Sequence, residues 1–228
     1  MANIVTSSIH FSAGARQSMG FLACSEDGEP RPGLLVLQEF WGLNDHIKDV
    51  TNRFAAEGFV ALAPDMYDGK VTTDATEARQ LMMSMDQAVA LQKLNGAIEC
   101  LKANAQVARE KIGVVGFCMG GFLALNLGCH NKDVRAVTAL YGRIPPNSVL
   151  ENLTAPVLYV FGQQDHHLPA ADVDRLEQFI ARTGRTGGVL RYPQADHAFF
   201  NDTRKEVYRE ADAKDAWMKA LAFLREHL

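Results

Sequence analysis

Cys118 lies in the run Gly116-Phe117-Cys118-Met119-Gly120-Gly121, directly after the apolar stretch Ile112-Gly113-Val114-Val115. A buried strand that runs straight into a helix needs a very tight turn to lift a side chain above its sheet. The residues two before and two after that side chain must then lack bulk. Gly116 and Gly120 meet the requirement, and a thiol held this way is a nucleophile suited to acyl transfer. Asp165 and His197 come later in the chain, each following another apolar run. Nucleophile, acid, histidine is one of the chain orders in which catalytic triads occur. In that arrangement His197 acts as base and then acid, Asp165 fixes its tautomer and orientation, and Cys118 carries the acyl group. Taken singly, each residue also has an ordinary reading, because a free cysteine is often a small buried hydrophobe and an aspartate after a strand is a common turn residue. A metal cluster built on Asp165, His166 and His167 is disfavoured: adjacent histidines on an extended loop point in different directions, and no third ligand accompanies them.

Such residues need strands to carry them. Residues 34 to 38 form a short continuous apolar run, as expected of a strand buried on both faces. A helix follows, capped by Asn44 or Asp45, with Ile47, Val50, Thr51, Phe54 and Ala55 at helical spacing and Gly58 as its stop. Residues 59 to 63 make the next strand. Downstream the spacing predicts a long amphipathic helix over 86–103, a strand over 112–115, a helix opening at the cysteine turn, and strands over 135–141, 157–161 and 189–192, with helices near 170–182 and 205–227. Alternating strands and helices predict an α/β fold with a mainly parallel, twisted sheet covered on both faces. The segment through about residue 24 is expected to form an N-terminal antiparallel edge hairpin, and residues 69 to 74 a surface excursion. Ligands of such sheets sit beyond the carboxyl ends of the strands, where all three candidate residues fall.

Length and composition set the outer limits. A chain of 228 residues without linker, composition break or internal repeat is expected to be one domain, residues 1–228. The formal net charge is -4, and Lys and Arg are scattered, so neither nucleic acid nor an anionic membrane is an expected partner. The first twenty residues lack the apolar core of an export signal and no stretch is long enough to span a bilayer, which makes a cytoplasmic location the expectation. In that setting Cys24, Cys100, Cys118 and Cys129 read as reduced thiols. His10, His46, His130, His166, His167 and His227 form no constellation with a chemical meaning.

The segments Gln38-Glu39-Phe40-Trp41-Gly42-Leu43-Asn44, Pro64-Asp65-Met66-Tyr67, Gly116 to Gly121, Gly162-Gln163-Gln164-Asp165-His166-His167-Leu168-Pro169 and His197-Ala198-Phe199 together resemble the dienelactone hydrolase family, over roughly residues 8 to 227. The resemblance implies an α/β-hydrolase fold and hydrolysis of an enol-lactone, the dienelactone, to maleylacetate without metal or organic cofactor. It implies that Glu39 contacts the cysteine and helps remove its proton when substrate arrives. It also implies an oxyanion hole made by the backbone amides of Phe40 and Met119, and an arginine, here Arg79, that holds the substrate carboxylate. The second carboxylate-binding arginine of the family stands four residues after the histidine, where this chain has Asn201. An amide does not replace a guanidinium in charge or geometry, and Arg204 is the nearest other cation in that loop. Trp41, Phe199, Asn201 and Arg204 complete the expected substrate contacts; Phe40, Trp41, Met82, Met83, Phe199 and Phe200 give the site an apolar rim, although aromatic residues and methionines at such positions are just as often core.

The expected activity is therefore that of a cysteine hydrolase acting on lactones or esters of small, carboxylate-bearing acids, in a monomer or weak homodimer. A broader carboxylesterase or thioesterase is the alternative. A redox-sensing or binding module needs only an activated sulfur, and the aspartate and histidine in triad order argue against it.

Overall fold

From Arg31 onward strands and helices alternate along the chain in the computed structural model, which describes residues 3–228. The chain divides into two compact units, one ending at Val114 and one beginning at Val115. The boundary falls inside a strand, where the sequence carries no linker.

The first unit opens with the expected hairpin. Strands β1 (Ile4–Ala13) and β2 (Arg16–Ser25) pair antiparallel, with Ala13 opposite Arg16, and Gly14 takes the left-handed conformation that the tight turn needs. Strand β2 pairs antiparallel with β4 (Val60–Pro64), which pairs parallel with β3 (Arg31–Leu37). The order is β1-β2-β4-β3, followed by β5 (Val107–Phe117), whose last residues belong to the second unit. Every residue from Leu34 to Leu37 is fully buried, as the unbroken apolar run required. Helix α1 (Asp45–Ala56) buries Ile47, Val50, Thr51, Phe54 and Ala55, and its cap is Asn44, whose Oδ1 accepts from the Ile47 N–H at 3.1 Å. Helix α2 (Ala75–Ser84) buries only Ala78, and α3 (Gln87–Ala103) follows it after an Asp86 cap.

The loops after β3 and β4 are tied to each other by backbone approaches and buried polar groups. A side chain at Gly42 would lie 2.3 Å from the Lys70 carbonyl, and the Thr72 N–H donates to the Trp41 carbonyl at 3.0 Å. Gln38 Oε1 accepts from the Met66 N–H at 3.2 Å, and Asp65 accepts from the Tyr67 N–H at 2.9 Å and the Gly69 N–H at 2.5 Å. Lys93, 6% exposed on α3, donates to the Met66 carbonyl at 3.3 Å and to Asp68 at 2.5 Å, which satisfies its buried charge. These bonds hold the segment that carries Glu39, Phe40 and Trp41 in one conformation.

The second unit continues the order as β5-β6-β7-β8, with β6 (Val134–Leu140), β7 (Val157–Gly162) and β8 (Gly187–Tyr192). The β6–β7 and β7–β8 pairs are parallel. Helices α4 (Met119–His130), the short α5 (Asn147–Leu150), α6 (Ala170–Thr183) and α7 (Glu210–His227) belong to this unit. Helix α7 starts later than the expected residue 205, because Arg204 to Tyr208 form turns in which the Val207 and Tyr208 N–H groups both donate to the Arg204 carbonyl. Among the described residues no helix is long and apolar enough to cross a membrane.

In the first unit α3 comes close to β1 at Gly96, where an added Cβ would stand 2.1 Å from the Ser12 carbonyl oxygen. Backbone cannot yield as a flexible side chain does. Gly96→Ala is expected to destabilise the protein by about 1–3 kcal/mol through displacement of the helix, read as a lower urea midpoint, even though alanine is the better helix former.

Candidate active site

The turn from β5 into α4 is built from backbone contacts that only glycine allows. An added Cβ at Gly116 would lie 2.0 Å from the Gly120 carbonyl oxygen, and one at Gly121 would lie 2.7 Å from the Leu140 carbonyl oxygen. Cys118 sits between them at φ 53 and ψ -114, a conformation that costs a non-glycine residue about 1–3 kcal/mol. The cost is met by a ring of backbone bonds: the Cys118 N–H donates to Leu140 O at 3.0 Å, and its carbonyl accepts from the N–H groups of Gly121 at 3.0 Å and Phe122 at 3.3 Å. Helix α4 therefore starts directly behind the sulfur, with Met119 as its first residue.

Two more strained residues of this unit flank the same place, Tyr141 at φ 40 after β6 and Ala198 at φ 63 after His197. Gly142 lets the segment after β6 approach the elbow, since its Cβ would fall 2.4 Å from both Gly121 C and Phe122 N. Tyr159 on β7 donates its hydroxyl to the Gly142 carbonyl and holds that segment down. Burial, followed by the charge of Asp165, pushes the Tyr159 phenol far above its ordinary value, so the hydroxyl stays a donor.

Asp165 and His197 are brought together because the loops after β7 and β8 bond to each other. Gln163 N–H donates to Tyr192 O, Gln164 N–H donates to Ala195 O, both at 2.9 Å, and a Cβ at Gly162 would meet Ala195 O at 2.6 Å. The Asp165 side chain is shielded from solvent; Oδ2 accepts from His197 Nδ1 at 2.7 Å and Oδ1 accepts from the His167 N–H at 2.7 Å. On its other side the imidazole reaches the nucleophile, with His197 Nε2 3.1 Å from Cys118 Sγ. Burial works against a charged imidazole here, but the hydrogen bond it donates to Asp165 and then the one with Cys118 outweigh it, and His197 is pushed up to about 10.

The other thiols differ from Cys118 in chemistry. Burial raises Cys24 and Cys100, and it pushes Cys129 to about 11, so these three stay protonated and are weak nucleophiles at neutral pH. All four cysteines are free. Among the described residues no group of three or more His, Cys, Asp or Glu side chains is arranged to hold a metal ion.

The remaining expected site residues are placed as follows. In the first unit Glu39 follows β3 and is 2% exposed, Phe40 is half-buried with its ring 4.3 Å from that of Trp41, and Arg79 is exposed on α2. In the second unit Asn201 is 1% exposed, and its Oδ1 accepts from the Thr203 N–H at 3.1 Å and hydroxyl at 2.6 Å. Arg204 donates to Glu206 at 2.8 Å. Phe199 is not on a rim: it is 0% exposed and packs against Tyr141 and Tyr192, because the turn at Ala198 directs its ring inward. Phe200 likewise lies in the core, against Phe117 and Trp217. His167, which the sequence leaves without a role, stands with its ring 5.0 Å from that of His197.

The profile of the dienelactone hydrolase family matches residues 19–228. A protein of Methylorubrum extorquens named as a candidate carboxymethylenebutenolidase is 33% identical over 91% of this chain and 76% of its own length. One of the same description from Synechocystis is 33% identical over 93% of each chain. A crystal structure of a candidate dienelactone hydrolase from Klebsiella pneumoniae superposes with a TM-score of 0.90 at 27% identity, covering 98% of this chain and 99% of that one. The chain accordingly has the α/β-hydrolase fold, with a mostly parallel sheet and antiparallel N-terminal strands. With nearly its whole length matched, it belongs to the dienelactone hydrolase family and is a carboxylic ester hydrolase.

Proposed function

We propose that this protein is a cysteine-dependent hydrolase that opens lactone or ester bonds in small, carboxylate-bearing substrates through a thioester on Cys118. The observation that supports this reading most directly is one imidazole bonded on one edge to Asp165 at 2.7 Å and on the other to the sulfur at 3.1 Å. His197 Nε2, 3.1 Å from the sulfur, is placed to hold the proton that the thiol gives up, and the thiolate left behind is the attacking form.

The reaction then runs in two halves. The thiolate attacks the acyl carbon, a C–S bond forms, and the carbonyl electron pair becomes an oxyanion. The donors to that oxyanion that the family resemblance supplies are the backbone N–H groups of Met119, the first residue of α4, and of Phe40. Collapse breaks the C–O bond to the leaving alkoxide, which takes the proton of His197. Water attacks the thioester, gives a proton to the neutral His197, and the C–S bond breaks to return thiolate, imidazolium and the carboxylic acid product. Asp165 keeps the imidazole in register for both proton transfers. The family resemblance adds Glu39 as a carboxylate that assists thiol deprotonation and Arg79 as a carboxylate-binding group. Every step uses protein groups and water.

Three outcomes test this reading. Incubation with an activated ester is expected to give an acyl adduct on Cys118 by intact mass and peptide mapping. The adduct clears more slowly in His197→Ala, and Cys118→Ala loses about 10⁴-fold in kcat; hydrolysis surviving in Cys118→Ala would refute the thiol route. Glu39→Gln is expected to lower kcat by about a hundredfold while an alkylating agent still finds the thiol. The third outcome concerns pH. Because the folded His197 stands at about 10, above its ordinary 6.5, the stability it contributes is full below pH 6.5 and is lost as pH rises through 10. The difference in melting temperature between wild type and His197→Gln should shrink across that window, and a constant difference would count against the imidazolium.

A further inference from the structure

We infer that His167 determines specificity at this site: its imidazole recognises an anionic oxygen on the acyl part of the substrate. The inference rests on the thiol-hydrolase reading and adds a substrate contact to it. His167 lies in the loop between β7 and α6, two residues past Asp165, and its backbone N–H donates to the Asp165 carboxylate at 2.7 Å. That bond fixes where the side chain begins. The ring meets the His197 ring edge-on, with centroids 5.0 Å apart and planes at 72°.

Two rings pack on the His197 imidazole, and they differ in access. Tyr141, 5.2 Å away, is 0% exposed, whereas His167 is exposed. Only His167 is open to a bound molecule. Among the described residues no hydrogen bond or ion pair engages either of its ring nitrogens. The nitrogens of His197 are both engaged, one by Asp165 and one by the sulfur. Asn201 spends its Oδ1 on Thr203 and is buried, and the Arg204 guanidinium donates to Glu206. Of the two rings packed on His197, the open one is therefore an imidazole with no protein carboxylate on its ring among the described residues.

An imidazole keeps at least one N–H donor in either protonation state, and a donor facing a carboxylate makes a charge-assisted bond. An acyl chain attached to Cys118 begins 3.1 Å from His197, the same imidazole on which the His167 ring packs, so a short chain is the one whose far end stays near this donor. The substrate class that fits is a half-ester or lactone of a short dicarboxylic acid, its free carboxylate on His167.

Two measurements separate this inference from the hydrolase reading. The first is the rate at which Cys118, located by peptide mapping, is alkylated by iodoacetate and by iodoacetamide, reagents of nearly equal size that differ in charge. Each forms a C–S bond and releases iodide, so no hydrolysis is needed. The second is KM and kcat for an aryl hemisuccinate against the matched aryl butyrate. His167→Phe keeps a ring against His197 without a donor, and it is expected to lower the iodoacetate-to-iodoacetamide rate ratio about tenfold, as for loss of one hydrogen bond to a charged group. The same factor should appear in KM of the hemisuccinate relative to the butyrate, while His167→Gln, which restores a donor, recovers part of it. An unchanged ratio in His167→Phe, or equal slowing of both reagents, overturns the inference, the second result meaning that the ring only positions His197. If neither ester is hydrolysed yet the alkylation ratio shifts, the hydrolase reading fails and the role of His167 stands.

Discussion

Everything in the second unit depends on how closely the backbone at Gly116 approaches that of Gly120. A Cβ between them would stand 2.0 Å from a carbonyl oxygen, so the strand can enter the helix within one residue only where side chains are missing. That residue, Cys118, is left in a conformation that ordinary side chains avoid, and a β6 carbonyl and two α4 amides hold it there. Strain and position are linked: a relaxed turn would lower the sulfur into the sheet, away from any imidazole. The positive φ values at Tyr141 and Ala198 lie in the two loops that must close around the elbow, so the strained backbone of this unit is concentrated where its reactive groups converge.

Electrostatics then divides four similar thiols into two kinds. Cys24, Cys100 and Cys129 are pushed up by burial, which disfavours their charged form, and the Arg185 charge near Cys129 offsets only part of it. Cys118 has an imidazole at 3.1 Å, and that imidazole is backed by a shielded carboxylate. Burial alone would neutralise His197, but its two hydrogen bonds reverse the sign.

What could be read from the sequence follows from how locally each feature is determined. Gly116 and Cys118, the apolar run that begins at Leu34, a helix cap at Asn44 or Asp45 and an N-terminal hairpin are set by neighbours within a few residues, and the structure keeps them, with Asn44 as the cap. Asp165 and His197 were visible as polar residues just past buried strands, where parallel sheets leave open space. Helix α2 was not separable, since a helix burying only Ala78 has almost no apolar period to detect. Whether Phe199 lies on a rim or in the core was not legible, because an aromatic residue after a loop histidine looks the same in either place, and its partners Tyr141 and Tyr192 come from other elements. His167 had no signal of its own, because its neighbour His197 reaches it through two loops that bond across thirty residues of chain.

The Asp165 carboxylate serves two masters, the imidazole of His197 through one oxygen and the main chain of residue 167 through the other. The second partner is a peptide N–H, which every amino acid except proline possesses. Exchanging the side chain at 167 thus leaves the acid's orientation intact, and with it the tautomer of the base. The molecule carries, two residues from its catalytic acid, a position where selectivity can drift under mutation without dismantling the machinery that makes and breaks the bond.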